Sequence, residues 1–110
     1  MAKGCFIDNK GNIFNSDSLH KAAEHIPVTT YHINTEKILE EMIMWKLKSF
    51  HDFLVHFERV AGADLATPLI LRSDGYVMDG WHRIIKAIHE GITELPAKKF
   101  IEDPEPDFKS

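Results

Sequence analysis

The spacing of apolar and polar positions changes several times along the 110 residues, and each change marks an element. "CFIDNKGNIF" sets two apolar runs around Asn9-Lys10-Gly11, which predicts a short hairpin with Gly11 supplying positive φ. "SDSLHKAAEHI" follows, with a helix capped by Ser16 or Asp17 and ended by Pro27. "VTTYHI" is β-branched and aromatic and reads as a strand. Asn34 or Thr35 then caps a helix from about Glu36 that sets Ile38, Leu39, Met42 and Ile43 on one face. A second helical stretch, Ser49 to Ala61, carries Phe50, Phe53, Leu54 and Phe57 at helical spacing, with a break expected near Trp45 to Ser49. Gly62 terminates it.

"PLILRSDGYVMDG" is the clearest β signal: two apolar runs, Leu69 to Leu71 and Tyr76 to Met78, flank a turn at Ser73-Asp74-Gly75. Gly80 is the hinge into a further helix, which Gly91 caps at its C-terminus. "ELPAKKFI" is a final strand, and "EDPEPDFKS" reads as a frayed acidic tail. On a wheel of about 100° per residue, Trp81, Ile84, Ile85 and Ile88 fall on one side of the Gly80–Gly91 helix. His82, Arg83, Lys86, His89 and Glu90 fall on the other, which is therefore expected to face outward.

The first turn of that helix holds the candidate chemistry. A helix N-terminus presents unpaired N–H groups and the positive end of the dipole, so acidic residues stabilise it and basic ones do not. Asp79 is the expected cap, yet His82 and Arg83 follow at once. Either the pair is a solvated first turn, or the turn gathers backbone donors, a guanidinium fork and an imidazole around a phosphate or carboxylate. In the second reading Gly80 lets the backbone approach the ligand.

Composition narrows the alternatives. With 13 Lys and Arg against 17 Asp and Glu, the net charge is −4, which argues against binding nucleic acid by bulk positive charge. Cys5 is the only cysteine, so no intrachain disulfide or Cys-x-x-Cys site can form, and a cytoplasmic, reducing compartment is the expectation. The apolar-rich stretch Ile38 to Val60 is broken throughout by charges and cannot span a membrane. The pairs His20/His25 and His51/His56 are each five residues apart, poorly placed on a helix to share a metal, so no protein-bound structural metal is expected. The Phe50/Phe53/Phe57 stripe reads as core, or, if left partly uncovered, as a homodimer or protein-partner contact. Lys98 and Lys99 read as a solvated strand edge, with one of them able to reach a ligand at the turn.

From Pro68 to Phe100, "PLILRSDGYVMDGWHRIIKAIHEGITELPAKKF" resembles the core of the ParB/sulfiredoxin superfamily. The likeness lies in a Pro-led strand, a hairpin, a Gly-x-His-Arg turn opening a helix, a helix-ending Gly and a strand near Pro96, about a third of the chain. It implies an α+β fold: a small mixed sheet packed with helices, here with a helical insertion and an N-terminal hairpin. Residues 1–101 would form one domain and residues 102–110 a flexible tail.

The resemblance further implies that the Asp79–Arg83 turn binds a nucleotide or another phosphate-bearing ligand, with Gly80, His82, Arg83 and Lys86 on the phosphates. Asp79 and His82 would be the catalytic pair of a phosphotransferase or phosphohydrolase, and ATP, ADP or CTP with Mg²⁺ the nucleotide. Trp81 stands where sulfiredoxins carry the catalytic cysteine, so sulfiredoxin chemistry is not implied. Chromosome-partitioning members read Gly-Glu-Arg-Arg at this turn, and their helix-turn-helix and dimerisation domains have no counterpart among these residues. Two alternatives stay open: a non-enzymatic accessory or protein-interaction module that keeps the fold, and a DNA-associated ParB-like protein, which the acidic charge disfavours.

Overall fold

The computed structural model describes residues 4–42 and 50–110. Strands β1 (Cys5–Ile7) and β2 (Ile13–Asn15) form the expected hairpin, with Gly11 at φ 85° in its turn. Helix α1 (Ser16–Ala22) follows, then β3 (Thr29–His32), α2 (Thr35–Met42) and α3 (Phe50–Ala61). The hairpin of β4 (Leu69–Leu71) and β5 (Val77–Asp79) leads into α4 (Trp81–His89) and β6 (Glu94–Lys99). The bend expected near Trp45 to Ser49 lies outside the described residues, as do Ile43 and the side chains of Leu39, Met42, Phe50 and Phe53.

The fold is α+β. Four strands run in the order β3-β6-β4-β5, and only the β4–β6 pair is parallel. That pair is joined across α4, because parallel neighbours need a crossover that a tight turn cannot supply. Alternation along β4 assigns its side chains to opposite faces, and all three are buried. Leu69 and Leu71 join Val77, Leu95 and Ala97 beneath Ile38 of α2 and Ile84 and Ala87 of α4. Ile70 turns the other way and meets Met78, Phe100, Phe14, Leu19 and Ala23, under α1 and the β1–β2 hairpin. Each large aliphatic side chain so buried contributes roughly 1.5–3 kcal/mol of transfer free energy.

Two end signals resolve differently from expectation. Asn15, not Ser16 or Asp17, occupies the N-cap of α1, and its side chain makes no capping bond. The carboxylate of Asp107 braces this end from outside the helix, accepting from the Asn15 N–H at 2.7 Å and from the Ser18 hydroxyl at 2.7 Å. Helix α1 also stops at Ala22, well before Pro27, with the Lys98 ammonium donating to the Ala23 carbonyl at 3.2 Å. Lys98 is thus engaged away from the turn. Asn34 does cap α2, its side-chain oxygen accepting from the Lys37 N–H at 3.2 Å.

The acidic tail runs back over the domain instead of leaving it. The Phe108 carbonyl accepts from the Ile13 N–H at 2.8 Å, Asp103 accepts from the Ser73 N–H and hydroxyl, and the Ser110 N–H donates to the Asn12 side chain. Its carboxylates serve as acceptors for backbone donors that the β1–β2 and β4–β5 segments leave open.

Candidate functional site

Asp79 closes β5, and Gly80 occupies the N-cap of α4 at φ 118° with no side-chain cap. Asp79 is therefore not the cap. The glycine is required by packing as well as by φ: a Cβ there would stand 2.3 Å from Leu69 Cδ2, and Leu69 is fully buried. Close approach to a ligand is not needed to explain it.

The Asp79 carboxylate meets two partners at one oxygen. Its Oδ2 lies 2.6 Å from His20 Nε2 on α1 and 3.0 Å from Arg83 Nη2, one turn into α4. Oδ1 makes no hydrogen bond to a described residue. Burial by itself would raise this carboxyl, but the His20 hydrogen bond and the Arg83 charge outweigh it and hold Asp79 below the usual carboxylate range. An ionised carboxylate only accepts, so His20 donates to it from Nε2. Nδ1 carries no hydrogen bond to any described residue, and the His20 side chain is 34% exposed.

Arg83 faces the protein. Its side chain is 13% exposed, and Nη1 donates to the Pro68 carbonyl at 2.9 Å and to the Thr67 carbonyl at 3.3 Å. The β4–β6 ladder explains why the Thr67 carbonyl needs a donor. Phe100 N–H serves the Leu71 carbonyl, so stepping back two residues at a time along both strands aims position 96 at Thr67. Position 96 is proline and has no N–H to give. Arg83 supplies the missing donor and ties the head of β4 to the end of β5.

His82 lies against α3, not in bulk water. Its Nε2 is 3.1 Å from His56 Nδ1, and the two rings stack with centroids 5.3 Å apart. Burial, then the neighbouring His56, Arg59 and Arg83, lower its pKa from 6.5 to about 4, against a smaller opposing pull from Asp79. The ring is neutral at pH 7. Lys86, one turn further on, donates to the Ala61 and Ala63 carbonyls at 3.1 and 2.8 Å, which closes the C-terminal end of α3. The polar face of α4, expected outward, is thus covered by the helical insertion along His82 and Lys86.

Of the residues expected at the site, Asp79, Gly80, His82 and Arg83 cluster where β5 passes into α4, and the Lys86 amine is directed to α3 instead. The tertiary fold adds His20, His56 and Arg59. In the sequence, His20 was one of seven histidines, with no spacing to set it apart. No group of three or more His, Cys, Asp or Glu among the described residues is placed to hold a metal ion. No helix among them is long and apolar enough to cross a membrane. Comparison with family models, with curated proteins and with solved structures yielded no match to this chain.

Proposed function

We propose that this chain binds a phosphate-bearing ligand, such as a nucleotide with Mg²⁺, at the polar cluster where β5 enters α4. One observation supports the reading: the half-buried His82 packs beside His56, Arg59 and Arg83, and burial first, then these neighbours, hold it in its neutral form. The guanidinium groups beside the ring are of the kind that bind phosphate oxygens. In this reading His82 and Arg59 face the anion, and Arg83 and Asp79 form the rigid frame behind them. Lys86 is a helix-end brace. The likeness of the Pro68–Phe100 segment to the ParB/sulfiredoxin core is consistent with this placement, and a reducing cytoplasmic setting is part of the same proposal. Thermal-shift measurements with ATP, ADP, CTP and inorganic phosphate, with and without Mg²⁺, test it. Stabilisation that grows with ligand concentration supports the site; none at millimolar ligand removes it.

A second reading rests on α3. Leu54 is 41% and Phe57 61% exposed, three residues apart on one helix. Such a pair is suited to a protein partner or a second copy of the chain. A Phe57→Ser chain that keeps its oligomeric state and its elution behaviour at high concentration would argue against self-association. DNA binding, with an affinity falling steeply with salt, remains disfavoured by the net charge of −4.

A further inference from the structure

We infer that the outer edge of β3 docks a second copy of this chain, by antiparallel pairing of β3 with β3 across a twofold axis. This surface is distinct from both the β5–α4 cluster and the exposed face of α3.

The edge is made of backbone groups that the chain leaves open. β3 ends the four-stranded sheet and pairs on one side only, with β6. The Ile33 N–H donates to the Thr93 carbonyl at 2.9 Å, so alternation along this antiparallel pair turns Tyr31 and Thr29 inward, toward Leu95 and Ala97. Thr30 and His32 therefore aim their N–H and C=O groups away from β6. The far side of β6 agrees: the Phe100 N–H serves the Leu71 carbonyl, so Pro96 and the other even positions face β4. No backbone hydrogen bond from Thr30 or His32 reaches a described residue on the outer side.

The two ends of the sheet differ. Beside β5 the β1–β2 hairpin packs, with the Phe6 and Tyr76 rings 5.8 Å apart. Beside β3 there is an open groove lined by Val28, Thr30, Glu94 and Pro96, and Val28 is 56% exposed. Proteins commonly guard an open edge with Lys, Pro, an inward charge or a bulge. Val28-Thr29-Thr30-Tyr31-His32 has none of these.

A second copy is favoured over a foreign strand by how β3 reads against itself. Centred on Thr30, the pairing engages every outward position from Val28 to His32. Centring on Tyr31 would need Asn34, whose carbonyl already accepts from Ile38. In the Thr30 register each Tyr31 lies opposite the partner's Thr29, an aromatic and β-branched pair, and Thr30 faces the partner's Thr30. On that second face, extending the register by one step sets Val28 beside Lys98. Each flanking row then runs from Glu94 and His32 to the partner's Val28 and the partner's Lys98. Opposite charges end the row, and no like charges meet across the join.

The join is one short strand wide, so the dimer is weak and forms with rising concentration. Sedimentation of the full chain should give 12.6 kDa at about 20 µM and rise toward twice that near about 1 mM. Amide exchange followed by NMR reads the same contact residue by residue. The Thr30 and His32 N–H groups should exchange at least about threefold more slowly at the higher concentration, while Tyr31, bonded within its own sheet, is unchanged. Thr30→Pro removes only an outward donor, so the fold survives and the mass stays at 12.6 kDa throughout. Should the proline disturb β3, Thr30→Lys is the second variant: it sets two ammonium groups face to face and should weaken the dimer about fivefold or more. A wild-type chain that is monomeric at about 1 mM overturns the inference. So does a dimer that withstands both Thr30 variants, or one that Phe57→Ser dissolves instead. A monomer whose edge amides are protected by an added extended peptide assigns β3 to a foreign strand, and overturns self-pairing as well.

Discussion

Gly80 and Leu69 interlock: the α-carbon of the glycine passes so close to the leucine that a Cβ would lie 2.3 Å from Cδ2. The contact fixes the height at which α4 leaves the sheet, and so the position of everything on its first turn. Gly80→Ala combines an unfavourable φ of 118° with a clash against a buried side chain. It should cost roughly 2–4 kcal/mol, read as a lowered urea midpoint with unchanged m-value. A loss under about 0.5 kcal/mol would mean that the contact is easily relaxed.

Arg83 should behave as a structural clamp before it behaves as a ligand contact. Arg83→Ala leaves the Pro68 carbonyl without its donor and Asp79 with one partner fewer. A stability loss of about 2–3 kcal/mol is expected in chemical denaturation. Arg83→Lys should recover less than half of it, since a single ammonium cannot span the carboxylate and two carbonyls as a guanidinium does. Equal stability of Lys and Arg at this position would count against the clamp.

His82 gives the pH dependence its sign. Its folded pKa, about 4, lies below the ordinary 6.5, so between those values the unfolded chain binds more protons at this position. The stabilising contribution is complete above 6.5 and declines as pH falls toward 4. Wild-type Tm should therefore drop over that interval, and His82→Gln should drop less. Parallel Tm curves for the two chains would show that another group is responsible. An anion bound beside His82 favours the protonated ring, so phosphate affinity should rise as pH falls through the same interval.

Asp107 joins the end of the chain to α1, the helix that carries His20. Asp107→Ala removes the acceptor for the Asn15 N–H and the Ser18 hydroxyl and should lower Tm. Those bonds hold its carboxyl below the usual range, so its contribution is present above that range and lost as pH falls through the lowered value. Unchanged Tm in Asp107→Ala at neutral pH would show the tail contact to be energetically idle.

The sequence by itself determined the elements and several of their ends. Local rules suffice for these: the Gly11 and Gly75 turns, the Asn34 cap, Gly91 beyond α4 and the buried triplet Leu69-Ile70-Leu71 follow from φ preferences and from side-chain alternation. The same rules locate the Asp79–Arg83 turn as the place where charge meets a helix start. What each residue there does was decided only by tertiary structure, because its partners lie far away in the chain. Asp79 meets His20 across 59 positions, Arg83 serves the Thr67 carbonyl that Pro96 cannot, and His82 stacks on a helix 26 residues upstream. The tail's docking was equally illegible: acidic composition predicts solvation, whereas Asp103 and Asp107 each accept from a backbone N–H and a hydroxyl. Local pattern records which face of an element is apolar, but which polar groups meet above that face depends on how the layers stack.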